Sequence, residues 1–195
     1  MRNIGAVILA AGGSSRLGRP KQLLTSRGET LVRRAVRAVA EAGCDSIVVV
    51  VGESGDEIRQ ELRATRATVV ENTEWQRGLG TSIRRGLREI AGSVDAVVLL
   101  TCDQALVDGN VIAQLIAAQQ KTGKPIIASS YANTLGVPAL FERSYFEALL
   151  ALPDASGAKK LIQEQADDVT SIAFEDGAFD IDTPEDFERL KENRD

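Results

Sequence analysis

Histidine is absent from this chain of 195 residues. That absence excludes Ser-His-Asp and Cys-His catalysis, histidine-held metals and imidazole acid–base work. Cysteine is scarce: Cys44 and Cys102 are too few and too separated for a disulfide framework or a thiolate metal site. Such usage points to a reducing, cytoplasmic setting. No apolar run approaches the length of a membrane span, and Met1-Arg2-Asn3 leads straight into a strand pattern rather than a signal peptide. Excess basic charge is missing as well. A formal net charge of −5 argues against a nucleic-acid partner, which needs a basic face. Chemistry in this chain is left to carboxylates, cations, backbone dipoles or a metal held by oxygen.

What is present is ordinary in amount and ordered in pattern. Hydrophobic residues make up 44% and charged residues 26%, the balance of a water-exposed globular protein, and the length fits one α/β domain over residues 1–195. Strands are predicted at Ile4–Leu9, Ser46–Val51, Thr68–Val70, Ala96–Thr101 and Ile126–Ser129, all apolar throughout, as strands covered on both faces tend to be. Helices are predicted over Glu29–Ala42, Gly55–Ala64, Thr81–Ala91 and Asp108–Thr122. In the first of these, Leu31, Ala35, Val36 and Val39 recur at helical spacing. The alternation predicts a three-layer, doubly wound, mostly parallel sheet. The less regular stretch Asn133–Ala173 predicts a small antiparallel excursion with helices covering a cleft.

The first strand runs into Leu9-Ala10-Ala11-Gly12-Gly13-Ser14-Ser15-Arg16-Leu17-Gly18-Arg19-Pro20-Lys21-Gln22. Small residues let the backbone approach a ligand and leave N–H groups to face it, while Arg16, Arg19 and Lys21 add positive charge. The loop suits a polyphosphate. Its spacing fits neither a P-loop nor the Gly-x-Gly-x-x-Gly dinucleotide fingerprint.

Two carboxylates complete the chemistry. Asp103 leaves the strand Ala96–Thr101 on the same sheet edge as the loop, where doubly wound sheets bind ligands. A turn or N-cap role is served better by Asp108, so Asp103 reads as a ligand for Mg²⁺ on phosphates. In Phe179-Asp180-Ile181-Asp182-Thr183-Pro184-Glu185-Asp186, period-two alternation places the two aspartates opposite Phe179 and Ile181. Thr183, Pro184 and Asp186 read as a capping box opening a final helix; Asp182 is left over as a second metal ligand. Cys102 reads as a small packed residue, with no base nearby to make it a nucleophile. Trp75 either stacks on a ligand ring or plugs the core.

The opening loop, Asp103-Gln104 and the terminal Asp-Ile-Asp-Thr-Pro-Glu-Asp together resemble the nucleotidyltransferases of molybdenum cofactor assembly, within the MobA-like NTP transferase superfamily. Asn72-Thr73-Glu74-Trp75, Gly78-Leu79-Gly80-Thr81-Ser82 and Gly136-Val137-Pro138-Ala139-Leu140-Phe141 extend the resemblance over nearly the whole chain, closest to the molybdopterin cytidylyltransferase branch. Leu9-Ala10-Ala11-Gly12, where the guanylyl-transferring relative usually has Leu-Ala-Gly-Gly, favours CTP over GTP.

The resemblance implies a Rossmann-like nucleotide-diphospho-sugar transferase fold. It implies transfer of CMP from CTP–Mg²⁺ to the phosphate of molybdopterin, releasing pyrophosphate. Arg16 and Lys21 would hold the triphosphate as catalytic cations, and Asp103 and Asp182 the metal. Leu9, Ala10, Ala11, Gly12, Gly13, Ser14 and Ser15 would line the nucleotide, with Asn72, Gly78, Gly80, Thr81 and Ser82 near the base. Gln104, Gly136 and Pro138 would face the acceptor, and a molybdoenzyme or its chaperone would be the downstream partner. The chain departs from the family pattern at Ala105, where Pro is common, and at Val137, where His is common. It departs again at Ala155-Ser156-Gly157-Ala158, where Gly-Asp-x-Gly-Ala is usual. These positions fall toward the acceptor. Two alternatives stand beside this reading: transfer to another phosphorylated acceptor, such as a sugar or polyol phosphate, and a non-catalytic protein that delivers nucleotide or cofactor.

Overall fold

Runs such as Ile47-Val48-Val49-Val50-Val51 put apolar side chains on both faces of a strand, so both faces need cover. The computed structural model, which describes residues 3–14 and 17–192, provides it with helices on each side of one sheet. In chain order the elements are β1 (Ile4–Ala10), β2 (Thr25–Ser26), β3 (Glu29–Thr30), α1 (Leu31–Glu41), β4 (Ser46–Val51), α2 (Gly55–Glu61), β5 (Thr68–Glu71), α3 (Leu79–Ile90), β6 (Ala96–Thr101), α4 (Gly109–Thr122), β7 (Ile126–Tyr131), β8 (Thr134–Glu142), α5 (Phe146–Leu150), α6 (Ala158–Glu164), β9 (Val169–Ala173) and α7 (Pro184–Glu192).

The sheet has seven strands in the order β5-β4-β1-β6-β8-β7-β9, parallel except for the antiparallel β8. Successive residues of each central strand face opposite layers. Ala6, Ile8, Val49, Val51, Val98 and Leu100 pack with α1 and α4 residues such as Val32, Val36 and Ile112. Val7, Leu9, Val48, Val50, Val97 and Leu99 pack with Ile83 and Leu87 of α3 and with Leu149 and Ile162 of α5 and α6. This is the doubly wound α/β architecture the alternation predicts. Strand order reverses at β1, which lies between β4 and β6, so a crevice opens beyond the carboxyl ends of β1 and β6.

Local differences from the sequence reading have local causes. The first helix begins at Leu31, not Glu29, because Glu29 and Thr30 pair with Thr25 and Ser26 as a short antiparallel ribbon. Thr30 then caps α1, its hydroxyl accepting from the Arg33 N–H. Asp108 caps α4 as expected, accepting from the Val111 N–H at 3.0 Å. The antiparallel excursion is β8. The capping box at α7 is present in both directions: Thr183 N–H donates to Asp186 (2.9 Å), and Asp186 N–H to the Thr183 hydroxyl (3.2 Å). No helix among the described residues is long and apolar enough to cross a membrane.

Candidate functional site

The site is assembled by three segments that meet at the reversal point. The glycine loop leaves β1, folds over itself and returns through a short 3-10 turn at Lys21–Leu23. Ser14, at φ +49°, accepts the Lys21 N–H on its hydroxyl at 2.9 Å. Gln22 is buried beneath the loop, and its amide donates to the carbonyls of Ala10 and Gly12, both at 2.8 Å. Gln22 is thus the peg that shapes the loop. Sequence reasoning missed it, because nothing local distinguishes a buried glutamine from a solvated one.

The second segment leaves β6 at Asp103, and the third precedes α7. A small apolar cluster of Leu24, Leu31, Ala105, Ile181, Phe187 and Leu190 docks α7 against the loop after β6. Its consequence is a backbone hydrogen bond from Ile181 N–H to the Asp103 carbonyl at 3.2 Å. Asp103 and Asp182 are thereby held side by side, with the Lys21 ammonium between them: Nζ lies 2.6 Å from Asp103 Oδ2 and 3.0 Å from Asp182 Oδ1. Burial works against the charge of Lys21, yet the two carboxylates outweigh it and hold its pKa up to about 12. The third carboxylate, Asp180, is surface-accessible but crowded; desolvation first, then Asp103 and Asp182, push it up to about 6.

The cleft beside Lys21 and Asp103 measures about 310 Å³ and takes in Leu9, Ala10, Ala11 and Gly12 from the loop, Gln22 and Ser82, but not Asp182. A larger cavity, about 640 Å³, opens beside Asp180 and is rimmed, among the described residues, by Glu175, Asp176 and Asp186 against one cation, Arg189. Its charge disfavours a phosphate, so the smaller cleft is the better place for one.

Of the remaining candidates Ser82 lines this cleft, whereas Asn72, Gly78, Gly80, Thr81, Gln104, Gly136 and Pro138 are not part of its lining. Trp75 is half-buried and outside the core clusters, its ring packed on loop glycines at the edge of the cleft. A Cβ on Gly13 would lie 2.7 Å from its ring, and one on Gly52 would lie 2.9 Å away, so these glycines make its seat. Its remaining surface lines the cleft beside Leu79. Asn72 is buried, donating to the hydroxyls of Thr81 (2.8 Å) and Ser82 (2.9 Å). Gly78 and Gly80 face the segment 153–156, where a Cβ would meet the carbonyls of Asp154 and Pro153 at 2.5 and 2.2 Å. The Gln104 amide donates to the carbonyls of Val137 (2.9 Å) and Gly177 (3.3 Å). Tyr131 donates to the same Val137 carbonyl at 3.1 Å, against Gly136, where a Cβ would collide with it. Pro138 follows a cis peptide bond, and its carbonyl accepts from Ser129. Arg19 lies over the Phe187 ring, 5.6 Å from its centroid, and so stands apart from Lys21. Ser15 and Arg16 lie outside the described residues. Cys102 is buried, and burial pushes its thiol well above the usual range, as expected of a packed residue.

The donor set fits a hard divalent cation. It offers oxygen alone, and Asp103 Oδ1 is buried without a hydrogen-bond partner. Among the described residues no group of three or more His, Cys, Asp or Glu forms a complete metal cage. Two carboxylates with substrate phosphates and water would suffice for Mg²⁺.

Comparison with known proteins shows the family and the fold. A sequence profile of the MobA-like NTP transferase domain matches residues 6–169. The chain is similar to Rv0371c of Mycobacterium tuberculosis H37Rv, with a TM-score of 0.82 at 31% identity over 98% of each chain. A manganese complex of Rv0371c aligns with a TM-score of 0.78 at 29% identity, covering 97% of this chain and 98% of that one. The chain is also 28% identical to the nicotine blue oxidoreductase of Paenarthrobacter nicotinovorans, over 96% of both. It spans about a third, 36%, of the bifunctional protein GlmU of Ruthia magnifica.

Proposed function

We propose, from the premise that the chain belongs to the MobA-like NTP transferase family and is thus a nucleotidyltransferase, that it transfers CMP from CTP to the phosphate of molybdopterin and releases pyrophosphate. The observation that carries the reading is Lys21 poised between Asp103 and Asp182 beside the loop after β1. A phosphate acceptor is already ionised, so the reaction needs no protein nucleophile and no imidazole. It needs alignment and charge neutralisation.

In this reading the loop from Leu9 to Ser15 lines the nucleotide, and Gln22 fixes its shape. Lys21 and Arg16 stabilise the charge that builds on the departing pyrophosphate. Asp103 and Asp182 would hold Mg²⁺, which would supply charge neutralisation to the phosphates. Asn72, Thr81 and Ser82 shape the base side, where Ser82 and Leu79 reach the cleft. Gln104, Gly136 and Pro138 form the wall toward the acceptor. Residues 1–195 act as one transferase domain, in the cytoplasm, and the product passes to a molybdoenzyme or its chaperone.

The test is pyrophosphate release with CTP, GTP or ATP, Mg²⁺ and molybdopterin. Release with CTP and molybdopterin together, and not with either alone, is the expected result. Release only with sugar or polyol phosphates would redirect the acceptor, and binding without turnover would favour a delivery protein. The end-to-end similarity to nicotine blue oxidoreductase favours one second reading, a redox reaction in the same cleft. Oxidation of NADH or NADPH in a screen of heteroaromatic substrates, without pyrophosphate release, is its signature.

A further inference from the structure

We infer that Lys21 holds the metal position closed in the nucleotide-free protein, so that the divalent cation enters with its triphosphate and not ahead of it. The inference rests on reading Asp103 and Asp182 as the metal carboxylates.

One oxygen of each carboxylate is held by the same ammonium. Asp103 Oδ2 and Asp182 Oδ1 both receive the ammonium of Lys21, at 2.6 and 3.0 Å. The other oxygen of Asp103 is sealed from solvent. A cation arriving alone therefore meets two carboxylates that already share one ammonium, and to take both of those oxygens it must displace that ammonium into water with nothing offered in return. A triphosphate changes the exchange, because its oxygens give the ammonium a partner of higher charge within the same cleft.

The residue is built to make that move. Lysine is a point charge on a flexible stem, with no fixed fork to realign. Its backbone N–H is tied to the Ser14 hydroxyl at 2.9 Å, so the side chain can swing while the loop stays in place. The stem runs past Gly12, where an added Cβ would come no closer to it than 3.9 Å and would meet no other described residue within 4 Å.

Equilibrium dialysis of the full chain against Mn²⁺ tests this, because Mn²⁺–CTP passes the membrane and only protein-bound metal accumulates. Wild type should bind Mn²⁺ at least tenfold more weakly without CTP than with it. Lys21→Met should bind Mn²⁺ alone at least tenfold more tightly than wild type, and Lys21→Arg, which keeps the charge, as weakly as wild type. Equal nucleotide-free binding by wild type and Lys21→Met would overturn the inference, as would tight binding by Lys21→Arg. The underlying reading fails separately: it falls if Asp103→Asn and Asp182→Asn leave the CTP-dependent Mn²⁺ binding of wild type unchanged. Thermal melts of each variant confirm that the comparison is made on folded protein.

Discussion

Gln22 gives the sharpest structural test, because its contribution can be worked out from two contacts. Its amide nitrogen serves the carbonyls of Ala10 and Gly12, both at 2.8 Å. Gln22→Ala removes both donors. The Ala10 carbonyl belongs to a residue only 2% exposed, so its loss leaves a buried acceptor unpartnered, at a cost of about 1–3 kcal/mol. Gly12 is exposed and its carbonyl can rehydrate, so its share is nearer ~0.5–1 kcal/mol. Together these amount to roughly 1.5–4 kcal/mol, or a fall in Tm of about 3–16 °C for a chain of this size. Gln22→Glu should be worse, since it brings a carboxylate against the same two carbonyls. Urea titration and calorimetry give the stability. Pyrophosphate release against CTP concentration then shows whether the loosened loop raises KM more than it lowers kcat. A Tm within about 2 °C of wild type for both variants would refute the peg and with it the account of how the loop is held.

Three further outcomes follow from other contacts. Lys21→Ala and Asp103→Ala should each slow pyrophosphate release by on the order of 10²-fold or more, and near-wild-type turnover in either would remove that residue from the machinery. Gly86→Ala should cost about 1–3 kcal/mol in chemical denaturation, because the new Cβ would lie 2.4 Å from Val7 Cγ1 and 2.7 Å from Val50 Cγ2 where α3 meets the sheet. Asp108→Ala should cost about 1 kcal/mol by the same measurement, through loss of the α4 cap, without changing KM for CTP.

How far each feature could be read in advance follows from the range of the interaction behind it. The capping box at Thr183 and Asp186, and the cap at Asp108, are contacts across three residues, so their spacing in sequence is their geometry. The start of α1 was misplaced by two residues because Glu29 and Thr30 were claimed by a strand partner instead of by the helix. Trp75 could not be assigned from its neighbours in sequence; its seat is made by Gly13 and Gly52, from two different loops. Gly78 and Gly80 carry the same lesson. Their lack of a side chain is required by a segment far along the chain, at 153–156.

The sequence by itself determined the doubly wound plan, since apolar runs and helical periodicity report the cover each element needs. It also limited the chemistry on offer: with no histidine, carboxylates, cations and backbone dipoles are left, and the loop after β1 carries cations. Tertiary structure alone decided which of those groups meet. Docking of α7 through Ile181 and Phe187 sets Asp182 beside Asp103, and the folded-back loop sets Lys21 between them. That arrangement turns three separated charges into one ion cluster. Charge–charge contact depends on distance in space, and it took the packed sheet edge to supply that distance.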